Sequence, residues 1–160
     1  MRRIPILVVI AALASPLVFA QSRPVKRMTV QHRSKTVNIS RPSKVTGDGM
    51  STPSGVKYWD IQAGEGSPAM KGHVVKVLYT AWVENGKAFD SSTSIDKPTI
   101  FTIGAGQVIP GWEDGMEGMK AGGKRQIHVP AQLAYGAAGI PQLVPPNSNV
   151  IFDVVLLEVQ

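Results

Sequence analysis

The feature that most restricts the fold is the run HVVKVLYTAWV at residues 73–83, which Asn85-Gly86 follows almost directly. Its β-branched and aromatic residues are typical of strands, and alternate positions put one apolar set on a single face. Asn-Gly supplies the positive φ angles of a type I′ hairpin turn. The next strand is therefore predicted to return antiparallel through Lys87 to Asp90.

Further segments predict more strands and one helix. Strand patterns occur in VKYWDI from Val56, TIFTI at 99–103, KRQIHV at 124–129 and NVIFDVVLLEV at 149–159. WEDGMEGM at 112–119 is the helical candidate; acids lie near its start, and two glycines keep it short. Many antiparallel strands around one short helix predict an α+β domain, which we assign to residues 52–160.

The first twenty residues predict a secretory signal peptide. Arg2 and Arg3 precede an apolar run that is too short for a membrane span, and small residues end it at Ala20. A buried N-terminal helix is the alternative. The chain has no cysteine, which excludes disulfides, thiol nucleophiles, thiolate metal sites and a lipidated cysteine anchor. A soluble, exported protein is expected, in the periplasm or outside the cell.

Residues 21–51 predict a basic, disordered arm. They contain seven basic side chains and one acid, whereas residues 52–160 contain eight basic and ten acidic ones. The arm is rich in Ser, Thr, Gly and Pro and lacks a sustained period. Val30, Val37 and Ile39 leave room for a short strand. Weak, salt-sensitive contact with anionic surfaces is expected, with a solubilising linker as the alternative; no specific nucleic acid is expected as a partner.

Common catalytic chemistry finds little support in the sequence. The three histidines, His32, His73 and His128, lack the spacing of a metal site, and the last two are predicted to face solvent from strands. Residues 104–106 (GAG) lack the third glycine and the helix of a dinucleotide site. The serine pair at 91–92 lacks the glycine-flanked elbow of a nucleophile. We expect neither a metal nor a cofactor.

A set of apolar and aromatic residues remains. Spacing alone favours an ordinary core for this set, but two features favour a pocket. Buried tyrosines and tryptophans need partners for their polar atoms. Asp90 also follows Phe89 directly at the end of a hairpin, where an unpaired carboxylate is costly unless it faces a cavity or a hydroxyl. The members are Tyr79, Phe89, Phe101, Val108, Ile109, Trp112, Tyr135 and Phe152.

Three blocks resemble the FKBP-type peptidyl-prolyl cis-trans isomerases, the rapamycin-binding immunophilins, in an exported bacterial-like form. They are VLYTAWVENGKAFDSS, GAGQVIPGWEDGMEGMKAGGKRQIHVP and LAYGAAGIPQLVPPNSNVIFDVVLLEV, in order and at matching spacings across about residues 52–160. The resemblance implies a curved antiparallel sheet wrapped over one short helix, with the prolyl pocket between them. A monomer is expected.

The resemblance also implies roles for individual residues. Trp112 would form the pocket floor, the Ile109 N–H and the Tyr135 hydroxyl would bind substrate carbonyls, and Asp90 would lie at the rim with Tyr79. The implied catalytic set is Tyr79, Phe89, Asp90, Phe101, Trp112, Tyr135 and Phe152, and the implied substrate-binding set is Val108, Ile109, Ile140, Leu143 and Val144. Thr99, Leu133 and Ile140 depart from the best-known eukaryotic members, and these changes bear on substrate preference and macrolide affinity.

The expected activity is accelerated rotation of X–Pro bonds in exported or folding proteins, with the twisted amide held in an apolar aromatic pocket. The expected partners are proline-containing polypeptides and rapamycin-type macrolides. A peptide-binding chaperone or adhesion module with little turnover is the alternative. In a third interpretation the basic arm has the function and the domain is its carrier.

Overall fold

The computed structural model describes residues 40–160. The signal peptide predicted at 1–20 and residues 21–39 of the predicted arm lie outside them. Within residues 40–160 no helix is long and apolar enough to cross a membrane. The elements are β1 (Met50–Ser51), β2 (Lys57–Gln62), β3 (Val74–Val83), β4 (Ala88–Ser92), β5 (Thr99–Thr102), α1 (Pro110–Met116), β6 (Lys124–Val129), a 3₁₀ turn (Ala131–Leu133) and β7 (Val150–Val159).

The strands form one antiparallel sheet in the order β1-β2-β6-β7-β3-β4, and β5 also pairs with β3. The long strands β3 and β7 lie at its centre, where Val75 faces Val159 at one end and Val83 faces Val150 at the other. Register shifts interrupt the β2–β6, β3–β4 and β3–β7 pairs. Such irregularities bend strands and increase twist. The predicted α+β class, a curved antiparallel sheet over one short helix, is confirmed.

Two glycines let α1 approach the sheet closely. A Cβ atom on Gly111 would lie 2.2 Å from Val129 Cγ1, and one on Gly115 would lie 2.4 Å from Ile127 Cγ2. Both partners are buried on β6. The helix begins at Pro110, two residues before the predicted start, because proline is suited to the first helical position. It ends at Met116, three residues before the predicted end, because Gly118 adopts a φ of 76°, which is typical of the residue that follows a helix.

Arg125 fastens the end of the helix to β2 and β6. Its guanidinium donates to the carbonyl oxygens of Gly115 (2.8 Å) and Glu117 (3.2 Å), which satisfies acceptors that a helix end leaves free. It also pairs with both carboxylate oxygens of Asp60, at 2.7 and 3.1 Å, and lies 4.1 Å from the Tyr58 ring centroid. This buried arginine therefore anchors the C-terminus of the short helix to the sheet.

The β3–β4 hairpin is confirmed, but the predicted type I′ turn is wrong. Asn85 has a φ of 59°, whereas Gly86 is not among the glycines with positive φ. The turn closes earlier, with the Gly86 N–H bonded to the Val83 carbonyl at 2.8 Å. Glu84 forms two hydrogen bonds with Asn149: its N–H donates to the Asn149 carbonyl, and its carboxylate accepts from the Asn149 side-chain amide. These tertiary bonds select the turn.

The described part of the predicted arm differs from a disordered segment. Met50 and Ser51 form β1 and pair with β2. Upstream, the Ser43 N–H and hydroxyl donate to Asp153 Oδ2 at 2.9 and 2.7 Å. Asp153 is fully buried, so these bonds stabilise its carboxylate. The sequence could not show this, because the partner of Ser43 is 110 residues away.

Candidate functional site

A pocket of about 410 Å³ opens between the sheet and the start of α1. Tyr79 of β3 and Phe152 of β7 face the helix side, because alternate residues of a strand share a face. The loop before α1 and the loop after the 3₁₀ turn close the remaining sides. The lining residues are Tyr79, Asp90, Gly106, Gln107, Val108, Ile109, Trp112, Tyr135 and Phe152.

Trp112 is in contact with three aromatic rings. The indole stacks on Phe101 at 5.1 Å and 22° between planes, and on Phe152 at 5.3 Å and 26°. Tyr79 meets the indole edge-on at 4.9 Å. Trp112 is only 4% exposed, and its indole N–H has no hydrogen-bond partner within residues 40–160. Offset and edge-on contacts of this kind stabilise aromatic pairs, so the indole presents a rigid apolar surface to the pocket.

A hydroxyl–carboxylate pair lies at the pocket wall. The Tyr79 hydroxyl donates to Asp90 Oδ2 at 2.6 Å, and the Ser91 N–H donates to Asp90 Oδ1 at 2.8 Å. Burial raises the pKa of Tyr79 far above its usual value; the hydrogen bond to Asp90 and the charge of that carboxylate add to the rise. Tyr79 therefore stays protonated and donates at neutral pH. Asp90 is exposed, so its carboxylate remains in contact with water.

Tyr135 forms the opposite side. Its ring meets Phe89 edge-on at 5.8 Å, and burial followed by the charge of Asp90 raises the pKa of its phenol. Phe89 packs against the core and Phe101 stacks on the indole, and neither lines the pocket. Five of the seven residues implied as catalytic thus line the pocket, and each of the other two has a ring contact with one of them: Phe89 with Tyr135 and Phe101 with Trp112.

The substrate-binding set divides between two cavities. Val108 and Ile109 line the aromatic pocket, with Ile109 as the residue that precedes α1. Ile140, Leu143 and Val144 instead line a separate depression of about 370 Å³ in the loop that follows Tyr135. Val144 is 2% exposed and belongs to the core, whereas Leu143 is 53% exposed. The structure therefore does not bring these three side chains into the pocket.

Gly106 and Gln107 line the pocket although the sequence reasoning did not single them out. Gln107 Oε1 accepts from the Thr102 N–H at 2.7 Å, and Glu113 Oε1 accepts from the Gly106 N–H at 3.1 Å. The two bonds fix the loop that leads from β5 into α1. The sequence feature that could have identified Gly106 and Gln107 is their position directly before Val108. Glu113, one of the acids near the start of the predicted helix, lies in the first turn of α1 and holds this loop.

Neither histidine among residues 40–160 lies as predicted, facing solvent from a strand. His73 lies just before β3 and is partly buried, and its Nδ1 has no hydrogen-bond partner within residues 40–160. His128 is half-buried on β6, where its ring lies 4.7 Å from that of Trp59 and its Nε2 is 2.9 Å from Gln126 Oε1. Burial lowers the pKa of His128. Within residues 40–160, no three of the histidine, aspartate and glutamate side chains are close enough to hold a metal ion.

Comparison with known proteins identifies the family and the fold. A family model of the FKBP-type peptidyl-prolyl cis-trans isomerase matches residues 65–157. The chain is 48% identical over 100 residues to an FK506-binding protein of Neisseria meningitidis serogroup A, covering 62% of this chain and 92% of that protein. It is 46% identical over 93 residues to the peptidyl-prolyl cis-trans isomerase FPR2 of Saccharomyces cerevisiae, covering 58% of this chain and 69% of that protein.

Two solved structures have the same fold. The crystal structure of AtFKBP13 superposes with a TM-score of 0.62 at 40% identity, covering 69% of this chain and 97% of that one. The crystal structure of FkpA from Escherichia coli gives a TM-score of 0.62 at 39% identity and covers 69% of this chain. This chain spans about half of FkpA, 51% of its length.

This fold, a curved antiparallel sheet over one short helix, is that of the FKBP-type class of peptidyl-prolyl cis-trans isomerases. Activity in this class is rotation of the X–Pro bond. The chain belongs to the FKBP-type peptidyl-prolyl cis-trans isomerase family and is a peptidyl-prolyl isomerase.

Proposed function

We propose that the aromatic pocket accelerates X–Pro rotation by binding the twisted amide better than the planar one. The observation that carries the proposal is the Trp112 indole, which is buried, stacks on Phe101 and Phe152, and lines the pocket. A proline ring that lies on this surface leaves its amide bond near the pocket wall, where Tyr79 and Asp90 lie.

The reaction requires only rotation. The barrier to rotating a peptide bond is ~18–20 kcal/mol because amide resonance must be broken. In the twisted amide the carbonyl loses part of its charge separation, so the transition state is less polar than the ground state. An apolar, aromatic-walled pocket therefore favours the transition state, and only such differential binding accelerates the step. The substrate forms no covalent bond to the protein.

Polar groups at the rim orient the substrate. The Ile109 N–H precedes α1 and lies outside the helical hydrogen-bond pattern, so it is placed to donate to a substrate carbonyl. The Tyr135 hydroxyl lines the same pocket and donates from the opposite side. The hydrogen bond from the Tyr79 hydroxyl to Asp90, at 2.6 Å, holds the pocket wall in place. Holding flanking carbonyls while the bond turns lowers the entropic part of the barrier.

The test replaces the indole floor. We expect Trp112→Leu to lower kcat/KM on a proline tetrapeptide by at least about tenfold, or about 1.4 kcal/mol, in a protease-coupled assay. Trp59→Leu is the matched control, because Trp59 lies on the sheet at β2 outside the pocket, and we expect its activity to change less than about twofold. A folded Trp112→Leu protein with full activity would contradict the pocket mechanism. Equal losses in both variants would do so as well.

We further propose that the isomerase acts on exported proteins. The support is the sequence of residues 1–20, with two arginines, an apolar run and small residues at the predicted cleavage site. The mature chain then begins at Gln21 in the periplasm or outside the cell. N-terminal sequencing of the protein from the extracytoplasmic fraction tests this, and a chain that still begins at Met1 would refute it.

Two partners follow from charge and pocket chemistry. The basic segment before the domain is proposed to give weak, salt-sensitive attraction to anionic surfaces, measurable as binding to anionic vesicles that high salt abolishes. Rapamycin is proposed to occupy the pocket, because the floor and both rim donors are present, and it should perturb Trp112 fluorescence. Thr99→Phe should tighten that inhibition; unchanged or weaker inhibition would show that the pocket edge is assigned incorrectly.

A further inference from the structure

The lining of the aromatic pocket has a single charged side chain among residues 40–160, that of Asp90. The two phenols of the lining, Tyr79 and Tyr135, stay protonated at neutral pH because burial raises the pKa of each. Gln107 is polar but uncharged, and no basic side chain lines the pocket within the same residues. The charge that a bound substrate meets in the pocket is therefore negative.

The Asp90 carboxylate is not neutralised by a cation. Three ion pairs occur within residues 40–160, and none of them includes Asp90. The groups that donate to its oxygens, the Tyr79 hydroxyl and the Ser91 N–H, are both uncharged. Asp90 is also exposed, and a carboxylate oxygen can accept more than one hydrogen bond. The carboxylate thus keeps both its charge and its capacity to bind a cationic group.

The charge of Asp90 acts on both walls of the pocket. Burial is the larger cause of the raised pKa of Tyr79 and of Tyr135, and the charge of Asp90 adds to the rise in each phenol. Tyr79 belongs to β3, whereas Tyr135 lies in the loop after the 3₁₀ turn. The negative potential of Asp90 therefore extends across the pocket from one wall to the other.

A second carboxylate adds to this potential from behind the pocket loop. Glu113 Oε1 accepts from the N–H of Gly106, a lining residue, at 3.1 Å. Within the described part of the chain, Glu113 forms no ion pair either. Low-dielectric walls focus the field of charges of one sign in a cleft. The pocket thus attracts cations and repels anions.

We propose that the site prefers X–Pro bonds in which lysine or arginine precedes the proline. The preference rests on the proposed function, in which the proline ring lies on Trp112 and its amide bond lies near Tyr79 and Asp90. The residue before proline supplies the carbonyl of that amide, so its side chain is the one that extends beside the wall. An ammonium or guanidinium there pairs with the exposed Asp90 carboxylate, and an acidic side chain is repelled.

The experiment compares peptides that differ only in the residue before proline. Acetyl-Ala-Xaa-Pro-Phe peptides with Xaa as Lys, Gln or Glu are assayed with the full chain in the protease-coupled assay. We expect kcat/KM for the Lys peptide to exceed that for the Gln peptide about threefold and that for the Glu peptide about tenfold at low salt. Because salt screens exposed charges, about 1 M salt should bring all three values within about twofold.

Asp90→Asn removes the charge and keeps an oxygen that can accept from the Tyr79 hydroxyl. We expect it to reduce the Lys-to-Glu ratio of kcat/KM from about tenfold to about twofold. Asp114→Asn is the matched control, because Asp114 lies on α1 outside the pocket lining, and its ratio should match that of the natural chain. The ratio is taken within each variant, so a general loss of activity does not alter the comparison.

Three results would overturn the preference. Equal acceleration of the Lys, Gln and Glu peptides would refute it and leave the proposed mechanism of isomerisation intact. A Lys preference that persists in Asp90→Asn, or at high salt, would show that a contact other than this charge selects the substrate. Failure to accelerate any of the peptides would contradict the proposed function as well.

Discussion

Removal of the Asp90 carboxylate tests whether the site works by orientation or by proton transfer. Its Oδ2 accepts the Tyr79 hydroxyl at 2.6 Å. Hydrogen bonds to charged groups contribute about 1.5–3 kcal/mol, and the exposure of Asp90 puts this one at the lower end. We therefore expect Asp90→Val to lower kcat/KM about tenfold, which corresponds to about 1.4 kcal/mol.

The two partners should behave as one unit. Tyr79→Phe removes the donor of the same bond, so its loss should be similar, and the double variant should lose little more than either single variant. Ser91→Ala is the matched control, since it keeps the backbone N–H that donates to Asp90 Oδ1. The assay is the protease-coupled rate on a neutral proline tetrapeptide between pH 6 and 8.

The pH profile decides between the mechanisms. Burial raises the pKa values of Tyr79 and Tyr135, so both phenols stay protonated across this interval, and carboxylates generally titrate well below it. We therefore expect nearly flat profiles for the natural chain and for all four variants, the double variant included. A bell-shaped profile that Asp90→Val flattens would show general acid–base catalysis and refute the orientation argument.

Three further outcomes concern stability, each measured by urea unfolding. Gly115→Ala should lower the free energy of unfolding by about 1–3 kcal/mol, because the added Cβ would press on Ile127. Gly122→Ala is the control: φ there is 86° and a Cβ meets no atom within 4 Å, so it should cost only the backbone strain of about 1 kcal/mol. Equal costs would disprove the close approach of the helix to the sheet. Arg125→Met should cost about 2–3 kcal/mol, because it leaves helix-end carbonyls and Asp60 without their donor, and a neutral change would show that the anchor is unimportant. Burial lowers the pKa of His128 from its ordinary value of 6.5, so its contribution to stability is present above pH 6.5 and is lost as the pH falls below it. His128→Gln should weaken the fall in unfolding free energy between pH 7.5 and 5, and an unchanged slope would assign that fall to other groups.

Local sequence determined most of the secondary structure. The alternation in residues 74–83 and 150–159 fixes which side chains share a face, so Tyr79 and Phe152 were predictable as members of one wall. Asn85 has the positive φ that asparagine commonly adopts in turns. The three motif blocks gave the family and, through it, the aromatic members of the pocket.

Tertiary structure decided what depends on contacts between distant residues. The hairpin closes one residue early because Asn149 holds Glu84, and Ser43 lies against the sheet because it donates to the buried carboxylate of Asp153. The loop that bears Ile140, Leu143 and Val144 folds over its own depression, since Val144 enters the core. Periodicity and motif spacing report the preferences of neighbouring residues; they do not report which buried polar group, a hundred residues away, a serine or an asparagine will satisfy.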